Sequence, residues 1–137
     1  MSCFFYSSFF LGDDMENMFV LKLVDGEDII LGLKKLAEEK SIDYGFLVSA
    51  SGSIKDFELV SIESRGGMSR NLFREECDVV SVSGKIGKVD GKPEINMRVS
   101  ISSTGFTSNS GQLLKGKAAG TLEIGVRKVN MKNIIGA

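Results

Sequence analysis

Residues 19–40, FVLKLVDGEDIILGLKKLAEEK, place a predicted strand directly before a predicted helix and decide the fold class. The apolar run Phe19–Val24 predicts the strand. The turn Asp25-Gly26-Glu27-Asp28 then supplies an N-cap and an acidic first turn. Apolar residues follow at i, i+1, i+4, i+7 and i+8 from Ile29, which is the period of a helix. The spacing predicts a helix over about 27–40, with an apolar stripe that must lie on a sheet.

The chain beyond this helix alternates between strand patterns and turn patterns. Tyr44–Ser51 predicts a strand that ends at Gly52, and Ile54–Val60 predicts a half-exposed strand. The remaining predictions are a loop at 63–72, strands at 79–86, 95–101 and 121–129, a hairpin turn at Asp90-Gly91, a loop at 102–111 and a short apolar stretch at 112–114. The fold class is therefore α+β: a mainly antiparallel sheet of about six to eight strands with one main helix packed on it.

The length of 137 residues suits one domain, but the N-terminus differs from the rest. Residues 2–11 hold four of the nine phenylalanines, and no charge occurs before Asp13. This run lacks the basic n-region of a signal peptide and is shorter than the ~20 residues that span a bilayer, so we expect no membrane association. We predict that residues 1–17 are an apolar extension or follow from a start assigned too far upstream. The domain itself is predicted at 18–130, with a tail at 131–137.

The histidine and cysteine content excludes several kinds of chemistry. Histidine is absent, and cysteine occurs only at Cys3 and Cys77. No Ser-His-Asp or Cys-His pair, His-ligated zinc or four-thiolate zinc site can form within one chain. Two thiols make no disulfide framework, so a reducing cytoplasmic location is expected. Cys77 lies among acidic residues and is predicted to be a poor thiolate. We predict a protein that is not an enzyme, with no cofactor and no metal.

The net charge of −1 conceals an uneven distribution. Residues 1–78 hold eight basic and fifteen acidic side chains, whereas residues 79–137 hold nine and three. This asymmetry marks either a surface for an anionic partner or two halves that face each other in one sheet. An isoelectric point near 5.5 argues against an autonomous DNA-binding protein. The cations that could still line one face of an oligomer are Lys85, Lys88, Lys92, Lys115, Lys117, Arg127, Lys128 and Lys132.

Four segments, in order, resemble the plant and prokaryote conserved (PPC) domain family. They are the 25–28 turn that opens the helix, Ser49–Ile54, Val80–Ile86 and Ser110–Leu114. The resemblance covers residues 18–130 and implies an antiparallel sheet with one helix, assembled as a homotrimer. It also implies a DNA-binding role. Plant members carry an additional Arg-Gly-Arg-type minor-groove element, which this sequence lacks.

The resemblance also indicates candidate site residues. Many bacterial relatives carry two histidines in a His-X-His strand motif and a third after a Gly-Gly turn, a set that would form a metal site. The matching positions here are Glu94, Asn96 and Gln112. Oxygen ligands of this kind could accept a hard cation, but one carboxylate and two amides compete poorly for zinc. Solvated polar positions on a sheet are the alternative interpretation.

Three functional hypotheses follow from these observations. The first is a non-enzymatic, homotrimeric PPC-type module that binds DNA or acts in regulation. The second is a small-ligand or cation-binding protein, with Glu94, Asn96 and Gln112 at a cleft between subunits. The third is an enzyme that works without histidine, for which the sequence indicates no reaction.

Overall fold

One antiparallel sheet of six strands and one main helix form the described part of the chain. The computed structural model describes residues 17–62, 66–102 and 108–136. The elements are β1 Met18–Val24, α1 Ile29–Glu39, β2 Gly45–Ile62, β3 Met68–Phe73, β4 Cys77–Val89, β5 Lys92–Ser102, β6 Ser108–Lys128 and a 3-10 helix at Met131–Asn133. The predicted α+β class is confirmed, and the strand count lies within the predicted range.

The sheet closes on itself through its longest strands. The strand order is β1-β6-β5-β4-β2-β3, and β6 also pairs with β2. Strand β6 changes neighbours along its length, because residues 108–112 pair with β5 whereas residues 121–127 pair with β1. Strand β5 pairs with β6 only over 98–102, so its first residues, 92–97, diverge from β6. This divergence opens a gap between β5 and β6.

The predicted breaks in two strands, at Gly52 and before residue 121, are wrong. Both strands continue through these positions, where the register of their pairing shifts. Gly52 does not terminate a strand: β2 is continuous, and its register against β6 shifts between Gly52 and Ser53. Likewise β6 runs without interruption over 21 residues and includes both the 112–114 stretch and the predicted closing strand. Residues 108–111 of the predicted 102–111 loop belong to β6, and residues 103–107 lie outside the described residues. The Asp90-Gly91 hairpin is confirmed, with φ of 51° and 78° as in a type I′ turn.

The predicted loop at 63–72 is wrong for its second half. Strand β3 occupies Met68–Phe73 and pairs with residues 57–62 of β2. Phe73 stacks on Phe57 with the ring centroids 4.8 Å apart. Because Phe57 is fully buried, this contact anchors β3 to the core. Residues 63–65 lie outside the described residues.

Helix α1 begins two residues later than predicted. Asp28 is the N-cap, and its Oδ1 accepts a hydrogen bond of 2.9 Å from the backbone N–H of Leu31. The first turn therefore contains no acidic residue, because the acidic residues precede it. Asp25 serves a different purpose: its carboxylate accepts hydrogen bonds from the backbone N–H of Gly120 and from Lys55 Nζ. The turn is thereby fixed to β6 and β2.

The core lies between α1 and the concave face of the sheet. The helix buries Ile29, Leu33, Leu36 and Ala37, the residues whose spacing predicted the stripe, whereas Ile30 is only partly buried. Each fully buried aliphatic side chain contributes about 1.5–3 kcal/mol. The main sheet residues of the same core cluster are Leu47, Ile54, Phe57, Ile86, Met97, Val99, Leu113, Leu122, Ile124 and Val126. Within the described ranges, no polar or charged side chain is buried.

Two predictions concern the ends of the chain, an extension at residues 1–17 and a tail at residues 131–137, and both stay predictions. Residues 1–16 of the predicted extension lie outside the described residues. The predicted tail at 131–137 starts with the 3-10 helix. No helix in the described part of the chain is long and apolar enough to cross a bilayer.

Candidate functional site

Glu94, Asn96 and Gln112, the positions that match the family histidines, lie on one face of the sheet. Glu94 and Asn96 are two residues apart on β5 and are both exposed. Gln112 lies on β6 directly opposite Arg98, which follows Asn96 by two residues. Directly opposed residues of an antiparallel pair project to the same side. The register therefore puts these three side chains and that of Arg98 on the outer face.

Two clefts border this face, and they divide the three residues between them. The larger, which we call the β5–β6 cleft, is a cavity of about 330 Å³ that Glu94 and Gln112 line. The smaller is a cavity of about 230 Å³ lined by Glu94 and Asn96 together with Lys85 and Lys88. Glu94 borders both clefts, whereas Asn96 and Gln112 lie in different ones.

This arrangement does not fit the metal site that the family resemblance implies. A site that holds a cation needs several oxygen, nitrogen or sulfur ligands that converge on one point. Here a single carboxylate stands between two amides that line separate cavities. Across residues 17–62, 66–102 and 108–136, no group of three or more Cys, Asp or Glu side chains could hold a metal ion. The candidate site has the chemistry of a polar surface and not of a metal centre.

The cations proposed for DNA binding are spread over several parts of the molecule. Lys92 lines the β5–β6 cleft, and Lys88 Nζ forms an ion pair of 2.8 Å with Asp43. This pairing lowers the pKa of the Asp43 carboxyl. Lys115 lies opposite Glu58, and Lys117 lies beside the start of α1. Lys128 Nζ donates a hydrogen bond of 3.0 Å to the Lys40 carbonyl, whereas the exposed Lys132 lies in the 3-10 helix.

Three cations do share one surface. Together with an aromatic ring they lie across the outer face of the sheet, and we call this set the basic row: Lys85, Arg98, Arg127 and Phe46. Phe46 of β2 lies opposite Arg127 on one side and opposite Lys85 on the other. Lys85 in turn faces Asn96, two residues before Arg98. Phe46 is 39% exposed and packs edge-on against Tyr44, with ring centroids 5.4 Å apart. Three cations and an exposed aromatic ring thus share one surface.

Arg98 is the one cation of this row that was not among the predicted cations. It lies in the predicted strand 95–101, where simple alternation places it on the same side as Asn96. The signal was therefore present in the strand pattern. The position of Phe46 between Lys85 and Arg127 depends instead on strand pairings that connect distant parts of the sequence.

An apolar patch adjoins the basic row on the same face. It consists of Val20, Phe46 and Val48, which are 67%, 39% and 46% exposed. Gly125 lies directly opposite Val20, and a Cβ there would meet the side chains of Val48 and Ser49. Because glycine adds no side chain at this point, the patch is shallow and continuous. Exposed apolar clusters of this kind are typical of interaction surfaces.

Cys77 is a thiol of low reactivity, as predicted. It is only 2% exposed, and burial raises its pKa, with further contributions from Glu75 and Asp78. A thiol that resists deprotonation is a weak nucleophile and a weak metal ligand. Cys77 therefore belongs to the core and not to the candidate site.

Comparison with known proteins identifies the fold. A protein of Bacteroides thetaiotaomicron named a "putative DNA binding protein" matches with a TM-score of 0.74 and 18% identity, over 83% of this chain and 80% of that chain. A metal-containing protein of Archaeoglobus fulgidus matches with a TM-score of 0.72 and 21% identity, over 81% and 78%. A PPC protein of Pyrococcus horikoshii matches with a TM-score of 0.71 and 14% identity, over 82% and 79%. At these identities the likeness establishes the fold alone.

Sequence comparison identifies the family. A search of curated protein sequences finds no match to this chain. The family model described as the Plants and Prokaryotes Conserved (PCC) domain matches residues 12–130, which is most of the chain. The resemblance carried by the four short segments is confirmed, and this chain belongs to the Plants and Prokaryotes Conserved domain family.

Proposed function

We propose that this protein is a non-enzymatic, homotrimeric PPC-type module of the cytoplasm that binds DNA through its basic row. The observation that carries the DNA proposal is that Lys85 and Arg127 flank the exposed ring of Phe46, with Arg98 on the same face of the sheet two strands away. Cations that share one face neutralise phosphates, and an exposed aromatic ring can contact sugars or unstacked bases. Two solved structures of this fold belong to proteins named "putative DNA-binding protein", one from Bacteroides thetaiotaomicron and one from Ralstonia eutropha.

Self-association is supported by the apolar patch and by the edge of β1. Within the described residues, β1 pairs only with β6, so its other edge is open to a second chain. Burial of Val20 and Val48 between subunits would remove exposed apolar area from water. A trimer would also bring three copies of the basic row into one assembly, so that more phosphate contacts could act together on one duplex.

Sedimentation equilibrium tests the trimer. Three chains of 14.8 kDa predict a mass of about 44 kDa at micromolar concentration. The variant Val20→Glu introduces a charge into the patch and is expected to release monomers. The matched variant Leu31→Glu changes an exposed residue of α1 and should leave the mass unchanged. A wild-type mass of one chain would contradict the trimer.

Fluorescence anisotropy with a labelled 20-base-pair duplex tests DNA binding by the basic row. The triple variant Lys85→Gln/Arg98→Gln/Arg127→Gln should weaken binding at low salt by at least about tenfold, because three phosphate contacts are lost. The control Lys34→Gln/Lys35→Gln/Lys40→Gln removes the same number of charges from the helix and its C-cap and should change affinity by less than about twofold. Equal losses of DNA affinity in the two triple variants would show that only net charge matters. That result would exclude the basic row as the DNA-binding surface.

The second candidate function is the binding of a small ligand. The specific observation in its favour is that Glu94 and Gln112, two of the three predicted site residues, line the same β5–β6 cleft. The geometry favours an organic ligand over a cation, because a single carboxylate lines the cavity.

A further inference from the structure

The β5–β6 cleft arises from the way in which the sheet closes. Strands β5 and β6 pair over 98–102 and then separate, because β6 continues alongside β2 while β5 continues alongside β4. Ile30 and Lys34 of α1 lie over the opening. The result is a three-sided cavity between the helix, the β4–β5 hairpin and residues 112–114 of β6. Its volume of about 330 Å³ lies within the range of about 300–1,000 Å³ that is usual for small-molecule sites.

The walls of the cleft combine apolar and cationic side chains. Apolar atoms come from Ile30, Val89, Pro93, Ile95, Leu113 and Leu114. Lys34 contributes from the helix and Lys92 from the hairpin, and both are exposed. Among the described residues, neither lysine forms an ion pair or a side-chain hydrogen bond. Two unpaired cations therefore line a cavity whose walls are partly apolar.

The polar side chains of the cleft set the charge of its preferred ligand. Glu94 and Gln112 are the remaining lining residues, so the cleft carries two positive charges and one negative charge. This balance favours an anion over a cation or a neutral molecule. The hairpin edge also disfavours an added strand from a peptide or a second copy, because it contains Pro93 and Lys92. Proline lacks the N–H that a ladder needs, and lysine is typical of edges that resist pairing.

We propose that the β5–β6 cleft binds a small organic anion that has an apolar body and one carboxylate or phosphate group. Lys34 and Lys92 hold the anionic group, and the partly exposed Ile30, Ile95 and Leu114 contact the apolar body. This inference deepens the second candidate function and is independent of DNA binding, because Lys34 and Ile30 lie on α1 and outside the basic row.

Titration of the isotopically labelled full chain with hexanoate, followed by two-dimensional amide NMR, tests the proposal. Hexanoate should shift the amide signals of Ile95 and Leu114 in a saturable way, whereas hexylammonium, with the same body and the opposite charge, should not. Acetate should bind at least about fivefold more weakly than hexanoate, because each buried methylene contributes about 0.8 kcal/mol. Hexyl phosphate in a parallel titration shows whether the site prefers a phosphate or a carboxylate group.

Two variants separate this site from nonspecific attraction. Lys34→Gln/Lys92→Gln should weaken hexanoate binding at least about tenfold, since charge-assisted hydrogen bonds are lost. Lys35→Gln, the neighbouring helix residue outside the cleft, should change it by less than about twofold. The Lys34→Gln single variant should bind duplex DNA like the wild type. The anion site and the DNA-binding surface can therefore be tested separately, and either proposal can fail without the other. Equal binding of hexanoate and hexylammonium, or no saturable shift at Ile95 and Leu114, would overturn the proposal.

Discussion

Asp25 shows how a single side chain fixes a turn between distant elements. Its Oδ1 accepts a hydrogen bond of 2.9 Å from the backbone N–H of Gly120 and another of 2.9 Å from Lys55 Nζ. The backbone hydrogen bond, followed by that of Lys55, lowers the pKa of Asp25, and the same partnership raises the pKa of Lys55. The charged carboxylate therefore joins the turn before α1 to both β2 and β6.

These shifts predict a pH-dependent contribution to stability. Because the folded-state pKa of Asp25 is lower than its ordinary value of 3.8, its contribution is complete at neutral pH and is lost as the pH falls through the folded pKa. The raised pKa of Lys55 keeps its charge, and hence its contribution, intact at neutral pH. Asp25→Asn should therefore lower the melting temperature at pH 7, and the difference from wild type should shrink as the pH falls below the ordinary carboxyl pKa of 3.8 and through the lower folded-state pKa.

Circular dichroism melts across this pH range measure the effect. Glu39→Gln, which changes an exposed carboxyl at the end of α1, is the matched control and should melt like the wild type at every pH. A difference for Asp25→Asn that stays constant from neutral to acid pH would show that its charge is not involved.

The pairing of β4 with β5 depends on a glycine at one position. Gly84 has φ of +144° and lies opposite Met97, and a Cβ there would overlap the carbonyl oxygen of Asn96. Gly84→Ala should destabilise the protein by about 3 kcal/mol or more, because backbone strain and the overlap act together. Gly87 lies three residues further along the same strand and has no positive φ, and a Cβ there would meet no atom of the described residues within 4 Å.

Gly87→Ala is therefore the matched control for Gly84→Ala. It should change the free energy of unfolding by less than about 0.5 kcal/mol. Urea denaturation of the two variants measures both values. Equal stability of the two variants would contradict the close approach of β4 and β5 at Gly84.

The elements that the sequence predicted are those with strong local signals. The stripe at Ile29, Leu33, Leu36 and Ala37 predicted α1, and Asp90-Gly91 predicted the hairpin between β4 and β5. Strand β3 was missed because its sequence does not alternate between buried apolar and exposed polar side chains. Its apolar residues Met68 and Leu72 are 73% and 49% exposed, and only Phe73 is anchored in the core. Residues 68–73 form a strand because they pair with β2, a long-range contact that their own sequence does not indicate.

The arrangement of the whole molecule could not be predicted from local patterns. Closure of the sheet requires β2 to pair with β6 across more than fifty residues, and this pairing places Phe46 beside Arg127. The family resemblance indicated Glu94, Asn96 and Gln112 as candidate site residues. Their distribution over two separate clefts was not predictable from the sequence, because the divergence of β5 from β6 is a property of the assembled sheet.

In the whole molecule, the fold separates the cations that are concentrated in the second half of the sequence. The basic second half of the sequence does not form one continuous surface, because Lys88 pairs with Asp43 and Lys92 lines the β5–β6 cleft. Three cations of this half, Lys85, Arg98 and Arg127, share the outer face with Phe46 and form the basic row. Our account of function depends on this row as the contact surface for DNA.

The most direct test is the salt dependence of duplex DNA binding by the wild-type chain and by Arg98→Gln, measured by fluorescence anisotropy. The logarithm of the association constant should fall linearly with the logarithm of salt concentration, and Arg98→Gln should reduce the magnitude of the slope by about 0.9, as expected for one lost phosphate contact. A wild-type affinity that does not fall as salt rises, or an identical slope for Arg98→Gln, would contradict the basic row as the DNA-binding surface.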